Sequence, residues 1–155
     1  MENLSAWGNV PVTIDRRISL ITLGVADLAR STAFYERLGW SRSSASQGAI
    51  TFIQLKGIVL ALFSRAALAE DAGVENTPVG FSGVTLAHNV SNPEEVDAVV
   101  DFAISCGATL VKKPEKVFWG GYSGYFADPD GHLWEVAHNP FAPLDEQGHL
   151  SLPER

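Results

Sequence analysis

The chain has 155 residues, 46% of them hydrophobic, and a formal net charge of −7, which suits one domain with a substantial core. That acidity argues against nucleic acid as a partner. No apolar run reaches the roughly 18 residues that cross a bilayer, and the lone cysteine, Cys106, excludes an intramolecular disulfide framework and fits a reducing cytoplasm.

Residues 1–16 read as an irregular arm containing Trp7 and Pro11, without the cationic start and apolar core of a secretory signal. The first strand is predicted from Ile18 to Val25. Asp27 is a good N-cap because its carboxylate can accept from the free amides of the next turn. Leu28, Ala33, Phe34 and Leu38 then recur at helical spacing, and Gly39 supplies a left-handed C′ residue. Three strands follow, at Trp40–Ser44, Ala49–Leu55 and Val59–Ser64, with turns at Gln47-Gly48 and Lys56-Gly57.

Residues 65–79 connect this half to the next, with a helical turn at Ala66–Glu70. A strand at Ser82–His88 opens the second half. Asn92 and Pro93 fit the N-cap and first position of a helix carrying Val96, Val99, Phe102 and Ala103 on its apolar side. Cys106 falls in its last turn, where it reads as a small buried side chain rather than a nucleophile. Strands are predicted at Thr109–Lys112, Ser123–Ala127 and Leu133–His138. Asp128-Pro129-Asp130-Gly131 makes a hairpin turn, so its two aspartates read as turn formers. Residues 141–155 form a tail.

The two halves are copies of one unit. Phe52 and Gly57 lie 74 positions before Phe126 and Gly131, and Leu60-Ala61 the same distance before Trp134-Glu135. Such a repeat implies two supersecondary units packed as a pair, here modules of about 17–65 and 80–140 within a domain of 17–140. Each reads as strand, helix and three strands, an α+β fold.

The segments FYERLGW after the first helix and GYFADPDGHLWEVAHNP near the end resemble the vicinal oxygen chelate superfamily, which includes glyoxalase I, extradiol dioxygenases and bleomycin-resistance proteins. That resemblance implies two βαβββ modules forming a cupped mixed sheet with helices on its outer face, as a rule within a homodimer. It also implies a divalent metal in the cup, held from the first and fourth strands of each module. Those positions fall on Leu20 and Ala61 in the first module and on Gly83 and Glu135 in the second. Only Glu135 carries a metal-binding group, whereas a catalytic ion needs about three protein ligands. No metal or other cofactor is expected.

Strand alternation sorts what remains. With Glu135 facing the cup, Ser123 and Tyr125 face it too, and Trp134 turns toward the helix. In the first module Leu20, Thr22, Ala61 and Phe63 point inward. Trp119, on a glycine-rich stretch, serves either as a stacking platform or as a plug. Apolar walls with a few placed polar groups suit a small organic ligand.

Three readings follow. The first is a metal-independent cytoplasmic binding protein that sequesters a small, partly aromatic or cationic molecule, with no nucleic-acid or membrane partner. The second is a lyase or other enzyme of the same superfamily, with Glu135 and Tyr125 as catalytic groups or Glu135 as a sole retained metal ligand. The third is a scaffold with a filled cup. Exposed first-strand edges favour a symmetric homodimer.

Overall fold

Both halves of the chain open with a strand that runs into a capped helix. In the computed structural model, which describes residues 14–77 and 80–153, β1 (Leu20–Val25) leads into α1 (Leu28–Arg37). Asp27 Oδ1 accepts from the Arg30 amide at 3.0 Å and so satisfies one of the donors a helix start leaves free. β2 (Ile50–Gln54) and β3 (Val59–Ser64) complete a sheet in which central β3 runs parallel to β1 and antiparallel to β2.

The predicted strand at Trp40–Ser44 is absent apart from one bridge between Arg42 and Ile53. Serine side chains bond the backbone here instead. Ser46 Oγ accepts from the Phe52 amide at 2.9 Å, and Ser43 Oγ from the Ala45 amide at 3.1 Å, which competes with a regular ladder. The connection carries more structure than expected. α2 (Arg65–Ala72) is eight residues long, with Ser64 as N-cap and Gly73 in the left-handed conformation after its last turn.

In the second half, β4 (Leu86–Asn89), α3 (Pro93–Ser105), β5 (Thr109–Lys116), β6 (Tyr122–Ala127) and β7 (Leu133–His138) form a sheet of order β4-β7-β6-β5. β3 and β7 begin and end 74 positions apart, as the repeat requires. β4 starts later than predicted because Gly83, at φ 81°, takes the chain out of extended geometry.

The helix-side faces of both sheets share one core. Leu23, Val25, Leu60 and Leu62 from the first half join Phe126, Trp134 and Val136 from the second, around Phe34, Tyr35, Val96 and Val100 of the helices. The alternation read from sequence therefore holds, and Trp134 is core. Cys106 is buried, and its Sγ donates to the Arg37 carbonyl at 3.3 Å while Arg37 Nε donates to the Cys106 carbonyl at 2.7 Å. This reciprocal pair ties the ends of α1 and α3 together. Where the Pro-rich segment follows β7, Lys56 of the β2–β3 turn bonds the Gln147 carbonyl, so the tail lies against the first half. The arm's residues 1–13, including Trp7, lie outside the described residues.

Candidate functional site

On the face of the second sheet away from the core, three polar side chains gather. Tyr125 and Glu135 are register partners on β6 and β7, and the Tyr125 hydroxyl donates to Glu135 Oε2 at 2.8 Å. Burial pushes the Tyr125 phenol above its usual range, and the hydrogen bond and negative charge of Glu135 push it the same way. The phenol thus keeps its proton at neutral pH, directed at the carboxylate. Ser123, buried, is next along the same face. Opposite Tyr125 and Ser123 on β5 stand Lys112 and Glu115, an exposed ion pair at 3.4 Å.

These groups border an open cavity of about 340 Å³, whose far wall is Phe118 and Trp119. The Trp119 ring occupies the space where a side chain at position 121 would begin. A Cβ at position 121 would stand 1.9 Å from the indole, so only glycine lets the ring fold back this way. Trp119 borders this cavity and does not fill it. Phe118, at the hairpin tip, is fully exposed.

The other expected residues do not join this cavity. Leu20, Thr22, Ala61 and Phe63 share the outer face of the first sheet, as β1–β3 pairing dictates, but none borders the space beside Glu135. Ala61 is fully buried, whereas Leu20 is half exposed. Gly83 is a correction. β1 and β4 occupy equivalent places, with Thr22 opposite Ala61 and Ala87 opposite Glu135. The counterpart of Leu20 is therefore Thr85, and Gly83 sits outside the strand with an exposed backbone. Thr85 lies beside the Tyr125 phenol. Sequence reading also missed Lys112 and Glu115; carrying the Tyr125 alternation across to β5 would have found them.

Asp128 and Asp130 act structurally. Asp128 Oδ1 accepts from the Asp130 and His132 amides at 2.9 Å each, closing the turn, while Oδ2 accepts from the Tyr35 hydroxyl at 2.7 Å. Asp130 Oδ1 takes the Ala26 amide at 2.8 Å.

Residues 17–136 match the family model of the Glyoxalase/Bleomycin resistance protein/Dioxygenase superfamily. The chain belongs to this superfamily. Among solved structures, a glyoxalase-related enzyme from Fulvimarina pelagi is 36% identical, with a TM-score of 0.80 over 90% of this chain and 99% of that one. A glyoxalase/bleomycin resistance protein/dioxygenase from Nocardioides is 27% identical, with a TM-score of 0.67 over 92% and 93% of the two chains. An uncharacterized protein of Mycobacterium tuberculosis (strain ATCC 25618 / H37Rv) is 34% identical over 64 residues, 41% of this chain and 37% of that protein. The match thus spans well under half the length of such curated relatives.

Whether a divalent metal fits this chain is decided by its donor set. Carried over from the superfamily through the strand register, the four ligand positions would be Leu20, Ala61, Thr85 and Glu135, which offer one carboxylate and one neutral hydroxyl. Among the described residues no three His, Cys, Asp or Glu side chains come together as ligands. A divalent ion needs about three protein ligands, so these residues do not fit one, whether the positions are met within one chain or across two.

Proposed function

We propose that this chain is a metal-independent small-molecule binding protein that takes a small, partly aromatic or cationic ligand beside Glu135. The observation that carries this reading is a carboxylate, Glu135, beside an aromatic wall, with Leu20, Ala61 and Thr85 at the other three positions where the superfamily places metal donors. At about 340 Å³ the cavity is at the small end of ligand sites, which run from roughly 300 to 1,000 Å³; a one- or two-ring compound is the right scale. Glu135 Oε1 is left to accept from a ligand N–H or O–H, since Oε2 serves Tyr125, and Trp119 offers a π-face to a ring or a cation. We further propose that a second copy completes the cup, bringing Leu20, Thr22, Ala61 and Phe63 of one protomer opposite Glu135 of its partner. The test is titration with a panel of aromatic and cationic compounds, read by tryptophan emission. Saturable binding that survives exhaustive chelation and weakens at least tenfold in Glu135→Gln is the expected result; binding that chelation abolishes would overturn it.

An enzymatic reading rests on two observations: the Tyr125–Glu135 hydrogen bond, which is a ready proton path, and the 36% identity to a glyoxalase-related enzyme. A carboxylate within hydrogen-bond reach of a substrate proton can serve as general base. Turnover lost in Glu135→Gln with binding largely kept would favour it.

A further inference from the structure

Behind the candidate site, on the helix side of the same sheet, lies a second and chemically different pocket. Its walls are Trp40, Phe126, Trp134, Val99 and Phe102, and its single polar side chain is His88. The aromatic rings are held by one another. Phe126 and Trp134 stack at 6.3 Å with 9° between planes, and Trp40 meets Trp134 edge-on at 5.7 Å. Phe126 and Trp134 are core residues, whereas Phe102 is half exposed and His88 stands at the mouth, open to solvent on one side. The volume is about 140 Å³. Dry apolar cavities of roughly 150 Å³ take up benzene, so the size is that of one ring.

We propose that this pocket binds a single aromatic ring carrying one hydroxyl or amino donor, a phenol-like compound, with the ring among Trp40, Trp134 and Phe126 and the donor on His88. Two features of His88 support this. Desolvation lowers its pKa below the usual histidine value, which favours the neutral imidazole with a nitrogen lone pair to offer. Among the described residues none takes that nitrogen as a hydrogen-bond partner. An anionic ring would meet only aromatic faces and a neutral imidazole, with no cation to receive it; a plain hydrocarbon ring would fill the space and leave His88 unused. Trp134 and Phe126 directly flank Glu135 and Tyr125 in their strands, so an occupant here presses on the sheet that carries the candidate site.

Phenol and toluene, near-equal in size, provide the test on the full-length protein by tryptophan emission and ligand-detected proton NMR. Both should bind saturably, phenol roughly five- to tenfold more tightly, as one hydrogen bond allows. His88→Leu should bring the two within about twofold while keeping toluene binding. Val99→Phe, which fills the pocket from α3, should remove both from this pocket and with them the His88-dependent preference for phenol. The proposal is overturned if neither compound saturates, if benzoate binds as well as phenol, or if the His88 variant leaves the phenol preference intact. His88→Leu changes a side chain at the mouth, so the discrimination can be read even if Val99→Phe folds poorly.

Discussion

Tyr35 is the residue on which the two halves are hung. Fully buried, it donates to Asp128 Oδ2 at 2.7 Å and accepts from Trp134 Nε1 at 3.1 Å, linking α1 of one module to the turn and last strand of the other. Removing its hydroxyl leaves a buried carboxylate oxygen and an indole N–H without partners, and unmade bonds to charged or buried groups are the costly kind. Tyr35→Phe should therefore lower the unfolding free energy by about 2–3 kcal/mol, read as a shift of the urea midpoint at unchanged slope. Burial, with the charge and hydrogen bond of Asp128 adding to it, drives the Tyr35 phenol far above the ordinary tyrosine range. In the unfolded chain it ionises near pH 10. The folded state thus holds a proton that the unfolded state releases, and stability is fully present below about pH 10 and falls as pH rises above it. Unfolding titrations from neutral to alkaline pH should show this fall, and Tyr35→Phe should flatten it. A variant with the same alkaline slope as the parent would remove Tyr35 as the group responsible.

Among the elements, the β5–β6 hairpin does most to shape the candidate site, and its design turns on one close approach. Gly121→Ala would place a methyl group 1.9 Å from the edge of the Trp119 indole and 2.8 Å from the His138 carbonyl, so the indole must swing out. The Trp119 side-chain N–H resonance, assigned by its loss in Trp119→Phe, should shift in Gly121→Ala, and aromatic ligands should bind several-fold more weakly; an unmoved resonance would show that the ring does not rest there in solution. How legible such features were in sequence follows from their range. The caps at Asp27 and Asn92 and the parity that buries Trp134 and turns Glu135 to the opposite face are local patterns, and the 74-residue repeat is legible because it copies such patterns; each survives in the structure. The Trp40–Ser44 strand failed because serine hydroxyls captured backbone groups that a strand needs. The expected position at Gly83 lies two residues short of Thr85 because the small residues Ser82, Gly83 and Thr85 give a strand no distinctive alternation. Nothing local announces that Tyr35 meets Asp128, 93 positions away, or that Trp119 folds onto its own hairpin.

At the scale of the whole molecule, a covered core coexists with two open sheet faces. β1 and β4 each stand at an edge of their sheet, and unpaired strand edges invite pairing. Near them are exposed apolar side chains: Ile18 and Leu20 at β1, Phe81 and Val84 ahead of β4. Scattered singly these would be ordinary, but here they accompany backbone edges and the outer faces that hold the expected cup residues. The like modules at each end allow a second copy to meet both edges by one twofold axis, which closes the assembly instead of extending it. Scattering or sedimentation at micromolar concentration should therefore give about twice the 16.7 kDa chain mass. Leu20→Asp puts a charge on the half-exposed face of β1 without entering the core, so it should shift the protein toward monomer with little change in far-UV circular dichroism. Because Leu20 borders no part of the cavity beside Glu135 within its own chain, the same substitution separates two models of the site. Ligand affinity that falls together with dimer content places the completed cup between subunits, and affinity that holds in a Leu20→Asp monomer confines the site to residues 112–135 of one chain.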